Sequence, residues 1–154
     1  MRKMSKNRLK ELTYFCRQYN DWKEETYRLM DLYASEISCP IELFTESKEK
    51  YIQKMDMVTN SIIQRKNYIQ KMDMVMSTIE QSVKEFLGFD AQSEIPYAEE
   101  RFFESIKSAL FANICYGSTY EQLYFTYPGV SKCPRHKFYK LRKLFFCNLN
   151  KVKD

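Results

Sequence analysis

From about residue 5 to residue 33 the apolar residues Leu12, Phe15, Tyr19, Trp22, Leu29 and Tyr33 recur at spacings of three, four and seven. That spacing lines one face of an α-helix. Asp21 with Glu24 three residues on fits a capping box, so a break is expected at Asn20 and Asp21. Residues 36–46 contain Pro40 and lose the period, which predicts a loop. A second helix is expected from about 47 to 87. Its heptad positions are Tyr51, Met55, Val58, Ile62, Arg65, Ile69, Met72, Met76, Ile79, Val83 and Phe86, broken only by Arg65. Five such heptads reach coiled-coil length. The stripe suits either an antiparallel pairing with the first helix or the seam of a homodimer.

The long helix carries a repeat. The octapeptide YIQKMDMV begins at Tyr51 and again at Tyr68, and ten of 17 positions match between 51–67 and 68–84. At about 100° per residue, 17 residues rotate the second copy by about −100°. Equivalent residues then share no face unless the helix breaks near Thr59, Asn60 and Ser61. Two copies are too few for a solenoid, so a tandem duplication that lengthened one helix is the reading.

Gly88 suits a helix C-cap and Pro96 the start of the next helix, which places a boundary there. The division is into 1–90, a helical hairpin or oligomerisation region, and 91–154. In the second part, residues 97–114 form a helix with Phe102, Phe103, Ile106, Leu110 and Ile114 inward, capped at Gly117. Ser118 with Glu121 reads as a capping box opening a short helix to about Thr126 that presents Leu123 and Tyr124. Pro128 and Gly129 make a turn. Cys133 and Pro134 open a last helix, with Phe138, Leu141, Phe145 and Leu149 on one stripe and His136, Tyr139, Lys140 and Lys143 on the other side. The whole is all-α, and its last 60 residues have the helix-turn-helix order of a DNA-binding domain.

Charge sharpens this picture. The 154 residues carry a net +5, placed unevenly. Residues 1–30 have 8 basic and 4 acidic side chains, 31–114 have 9 and 14, and 115–154 have 8 and 2. From Ser131 to Lys153 there are eight Lys/Arg and no Asp or Glu. A one-sided run of this kind is a footprint for a polyanion. Arg135, His136, Lys137, Tyr139 and Lys140 are the expected contacts to base edges. Lys132, Arg142, Lys143 and Lys151 are expected at phosphates, with Thr119 and the amides opening its helix.

Composition argues against other classes. Three glycines leave too few positions for Gly-rich phosphate loops and tight hairpins, and a single histidine leaves little for histidine-based catalysis or zinc binding. No enzyme activity and no cofactor are expected. Cys133 and His136 are three apart, but no further ligands cluster with them. The five cysteines, at 16, 39, 115, 133 and 147, are scattered and odd in number. That fits reduced thiols of a cytoplasmic, nucleoid-associated protein, mostly as small buried residues. No apolar run approaches the ~20 residues of a membrane span, and the N-terminus lacks an apolar signal core.

Three stretches resemble a known family. They are YFCRQYNDWK at 14–23, TIEQSVKE at 78–85 and YEQLYFTYPGVSKCPRHKFYKLRKLFF at 120–146. These look like the RinA/ArpU-type phage transcriptional regulators of Firmicutes phages and prophages, whose C-terminal part is similar to region four of bacterial sigma factors. The resemblance extends over about two thirds of the chain and is carried chiefly by Cys133, Arg135, Phe138, Tyr139, Arg142, Phe145 and Phe146. It implies activation of late, packaging or lysis genes by binding double-stranded promoter DNA. RNA polymerase is a possible second partner. Pro134 stands where the family pattern has Gly, and Leu141 and Leu144 replace basic residues. Two other readings share these features. One is a small terminase subunit for DNA packaging, which a ring of eight or more chains would mark. The other is an interaction protein that targets RNA polymerase or a host factor through the acidic helical half.

Overall fold

A computed structural model of the chain describes residues 3–37, 48–90 and 92–154, without the side chains of 33–37, 48 and 51. Among the described residues all regular structure is helical, so the protein is all-α. The elements are α1 (Lys6–Arg17), α2 (Tyr19–Ile37), α3 (Lys48–Phe86), α4 (Tyr97–Tyr116), α5 (Tyr120–Thr126), a 3-10 helix (Pro128–Lys132) and α6 (Arg135–Val152).

Most boundaries follow from local chemistry. Ser5 caps α1 by accepting from the Arg8 amide at 3.1 Å. The first break falls at Gln18, not at Asn20 and Asp21. The Gln18 amide turns back to the Phe15 carbonyl at 3.2 Å, and Asp21 lies in the first turn of α2. The acceptor expected to cap a helix there is absorbed into it, and Asn20 instead donates to Glu24 at 3.2 Å. Helix α2 runs on through Ile37, into the expected loop. The rest of that loop, with Cys39 and Pro40, lies outside the described residues.

Helix α3 is unbroken across Thr59, Asn60 and Ser61. The Thr59 and Ser61 hydroxyls donate to the carbonyls four residues back, of Met55 and Met57, both at 2.9 Å. The two repeat copies therefore keep their rotation and sit in different surroundings. Val75 is buried while its equivalent Val58 is half-buried. Gly88 ends α3 with φ +83°. The Phe89 amide reaches Lys84 O at 2.8 Å and the Gly88 amide reaches Glu85 O at 3.2 Å, a Schellman cap that requires the left-handed glycine.

The chain divides into two compact units, Met1–Tyr19 with Asp73–Asp154, and Asn20–Met72. The units divide the chain elsewhere than at residue 90. Helix α1 and residues 73–86 of α3 belong with α4, α5 and α6. Leu12 and Cys16 on α1 are fully buried, and α1 packs on α4 and α6. From α3 this unit takes Val75, Thr78, Ile79, Ser82 and Val83, all buried. The heptad reading named only Ile79 and Val83 of these. The Thr78 and Ser82 hydroxyls pair with their own helix at Met74 O and Thr78 O, and Asn148 of α6 donates to Ser82 Oγ at 3.0 Å. Small, satisfied polar side chains thus line a contact that a purely apolar pattern does not reveal.

The second unit holds α2 from Asn20 onward and the start of α3. Trp22, Thr26 and Leu29 are buried along one face of α2. The Lys71 ammonium lies 5.7 Å from the Trp22 ring centre and 5.8 Å from that of Tyr68. Ile52, Met55, Ile62 and Ile63 of α3 remain exposed.

Candidate nucleic-acid interface

Helix α4 ends at Gly117, φ +75°, where the glycine amide accepts the αL cap geometry by donating to Asn113 O at 3.1 Å. The next helix is capped one residue later than expected. The Thr119 hydroxyl accepts from the Gln122 amide at 3.3 Å, and the Gln122 side chain accepts from the Thr119 amide at 2.9 Å. Thr119 and Gln122, not Ser118 and Glu121, form the capping box. The Thr119 and Gln122 amides, two of the groups expected to face phosphate, are spent in it. Leu123 is buried, while Tyr124 and Phe125 are exposed.

The turn after α5 is seated on α4. Gly129 is buried, and its amide donates to Ser105 Oγ at 2.9 Å. The Tyr120 hydroxyl donates to Cys133 O at 2.7 Å, tying the start of α5 to the last residue of the turn. The Tyr120 ring lies 5.8 Å from that of Phe138. These contacts set where α6 begins, with Pro134 at its N-cap.

Helix α6 is anchored by Phe138, Leu141, Phe145 and Leu149, all with 0% exposure. Phe146 and Asn148 are also buried, because α1 covers a second flank. Arg8 of α1 donates to Asn150 Oδ1 at 2.7 Å and to Lys153 O at 2.8 Å, satisfying a carbonyl at the end of α6. The Lys153 ammonium lies 4.5 Å from the Phe15 ring centre. The boundary expected at residue 90 sets α1 apart from α6. Residues 1–19 of the N-terminal basic block share one unit with the C-terminal basic block, although the acidic stretch separates them in sequence.

The polar side of α6 stays open. His136, Lys137, Lys140, Lys143 and Lys151 are exposed, as is Lys132 in the turn before it. At about 100° per residue, His136, Lys140 and Lys143 fall within an arc of about 60°. Helix α6 contains no acidic residue. Tyr139 is exposed beside this arc, with the Arg135 guanidinium 5.6 Å from its ring centre. Arg135 is also engaged by Glu121 of α5, at 2.9 Å between exposed groups. Cys133 is buried and His136 exposed, so the two point to different surroundings. Burial raises the Cys133 thiol, with Lys137 opposing.

Arg142 is placed differently from the other cations. Its Nε donates to Asn113 Oδ1 at 2.9 Å, its guanidinium lies 4.9 Å from the Phe146 ring centre, and it is half-buried. Desolvation lowers its pKa. Its geometry is that of a brace between α4 and α6, whereas the basic run predicts a phosphate contact there. Arg8 was missed altogether. Its only signal in the sequence was the basic excess of the first 30 residues.

Comparisons with protein-family models, curated proteins and solved structures return no significant match to this chain. Among the described residues no helix is long and apolar enough to cross a membrane.

Proposed function

We propose that the chain is a phage- or prophage-encoded transcriptional regulator, an activator of late genes, that binds promoter duplex DNA. Helices α5 and α6 act as a helix-turn-helix, with α6 in the major groove. The observation that carries this reading is the open, acid-free polar face of α6 opposite a fully buried apolar one. A helix ~10–12 Å across fits a major groove ~12 Å wide, and the buried stripe gives it a rigid seat. His136, Lys137, Tyr139 and Lys140 face base edges, joined by Arg135 once it leaves Glu121. Lys132, Lys143 and Lys151 take phosphates. Arg142 braces the helix against α4.

The test is a mobility shift on duplex recovered from a random pool. Arg135→Ala with Lys140→Ala lowers specific affinity at least about 30-fold, two lost base contacts at about 1–3 kcal/mol each, while helicity is unchanged. Undiminished binding removes α6 from the interface. The exposed Ile52, Met55, Ile62 and Ile63 of α3 favour a homodimer through this helix. Sedimentation equilibrium reads the mass. A dimer agrees with a regulator, and a ring of eight or more chains favours the packaging protein.

A further inference from the structure

Beside the polar face of α6 lies a groove of about 640 Å³ between that helix and the start of α1. Its apolar lining comes from Met4 and Leu9 on one side and Phe146 and Cys147 on the other. Lys3 and Lys6 stand along one wall and Arg142 and Lys143 along the other, with Tyr139 at one end. Among the described residues no carboxylate lines it. We infer that this groove docks a short acidic helical segment of a partner protein, one that inserts apolar side chains between the two cationic walls.

Three features select that occupant. The walls are cationic on both sides, so the partner segment is acidic at its flanks. The lining is apolar, which a phosphate backbone cannot use. Laying duplex across it would cover Leu9 and Met4 without any matching apolar contact, so the groove is not an extension of the DNA surface. The lining positions on α6, from Tyr139 to Cys147, recur at three, four, seven and eight, a stripe of about 12 Å. Two turns of a helix match this length, with apolar anchors at i and i+4. Met4 adds an unbranched side chain able to adjust to the anchor. The inference stands apart from the DNA reading. The two surfaces share Tyr139 and Lys143, so peptide and duplex would compete where both bind.

The experiment pans a random peptide library on the immobilised full chain. The most enriched peptide is then measured by fluorescence anisotropy. Enriched sequences are expected to be acidic, with two apolar residues four apart. Leu9→Gln and Lys6→Glu change exposed side chains, so the fold is spared, and each is expected to weaken the peptide at least about tenfold at unchanged thermal midpoint. Neither residue is assigned to DNA, so a mobility shift by these variants reports the DNA reading separately. The inference is overturned by no enrichment, by enrichment of basic peptides, or by undiminished binding in either variant.

Discussion

Replacing Gly129 by Ala tests how the turn positions α6. Gly129 does not have positive φ, so alanine meets no backbone strain and the effect is one of space. An added Cβ would lie 2.8 Å from Ser105 Cβ, 2.9 Å from Ser105 Oγ and 3.3 Å from the Phe102 ring. Ser105 Cβ is fixed to the α4 backbone and cannot swing aside, so the turn must lift. Overpacking of this kind costs about 1–3 kcal/mol. Lifting also weakens the Gly129–Ser105 hydrogen bond, a further ~0.5–1.5 kcal/mol. Lower entropy of the unfolded chain returns about 0.4–1 kcal/mol. The net is a loss of about 0.5–4 kcal/mol, and its centre near 2 kcal/mol is about 4–8 °C in thermal midpoint for a chain of this size. Urea and thermal denaturation read it. Ser105→Gly removes the obstructing atoms, so the penalty of Gly129→Ala should shrink by at least about 1 kcal/mol in that background. An unchanged midpoint, or penalties that simply add, would refute the reasoning.

Three further perturbations have defined outcomes. Asn148→Ala removes donors to Ser82 Oγ and Glu85 Oε2 at 3.0 and 3.2 Å and should cost about 1–3 kcal/mol in chemical denaturation. Burial pushes the Cys16 thiol up to about 12 from 9.0. The folded state then keeps a proton that the unfolded chain releases, so stability falls as pH rises from about 9 toward 12, by at most about 1.4 kcal/mol per pH unit for this thiol. Burial raises Cys115 in the same direction. Cys16→Ala should make the slope shallower, and an identical slope would contradict the assignment. Glu121→Gln frees Arg135 from its exposed ion pair and should tighten duplex binding by up to about fivefold, the worth of such a pair at most. Weaker binding would mean that Glu121 itself serves the interface.

Signals confined to one turn were legible from the sequence. Gly88 and Gly117 take the positive φ expected of them, and α3, α4 and α6 begin and end close to the expected residues. The anchoring stripe of α6 was likewise readable from its spacing, because one apolar face of a helix has few places to go. Contacts that join distant segments were not. Arg8 meets Asn150 and Lys153 across more than 140 residues, and nothing local to either partner marks the pairing. Thr78 and Ser82 were hidden because hydroxyls that bond their own helix count as polar in any periodicity, and Val75 because it lies off the heptad register of Met72, Met76 and Ile79. Thr119 and Ser118 differ by one residue in capping register, and only the partner glutamine Gln122 decides between them. Arg142 reads as one more cation of a basic run until Asn113 and Phe146 are seen around it. The exposed face was therefore legible as a charge pattern, and its division into open cations and a buried brace was not.

The most direct measurement is the salt dependence of binding to duplex selected from a random pool. Lys132, Lys143 and Lys151 at phosphates give about three contacts, for which log affinity should fall by about 2.7 per tenfold rise in salt. Removing Lys143 and Lys151 together should bring that slope to about a third. Recovery of a motif with this slope agrees with α6 as the DNA-reading helix. Failure to enrich any duplex at low salt, or a slope that those two substitutions leave unchanged, would contradict it.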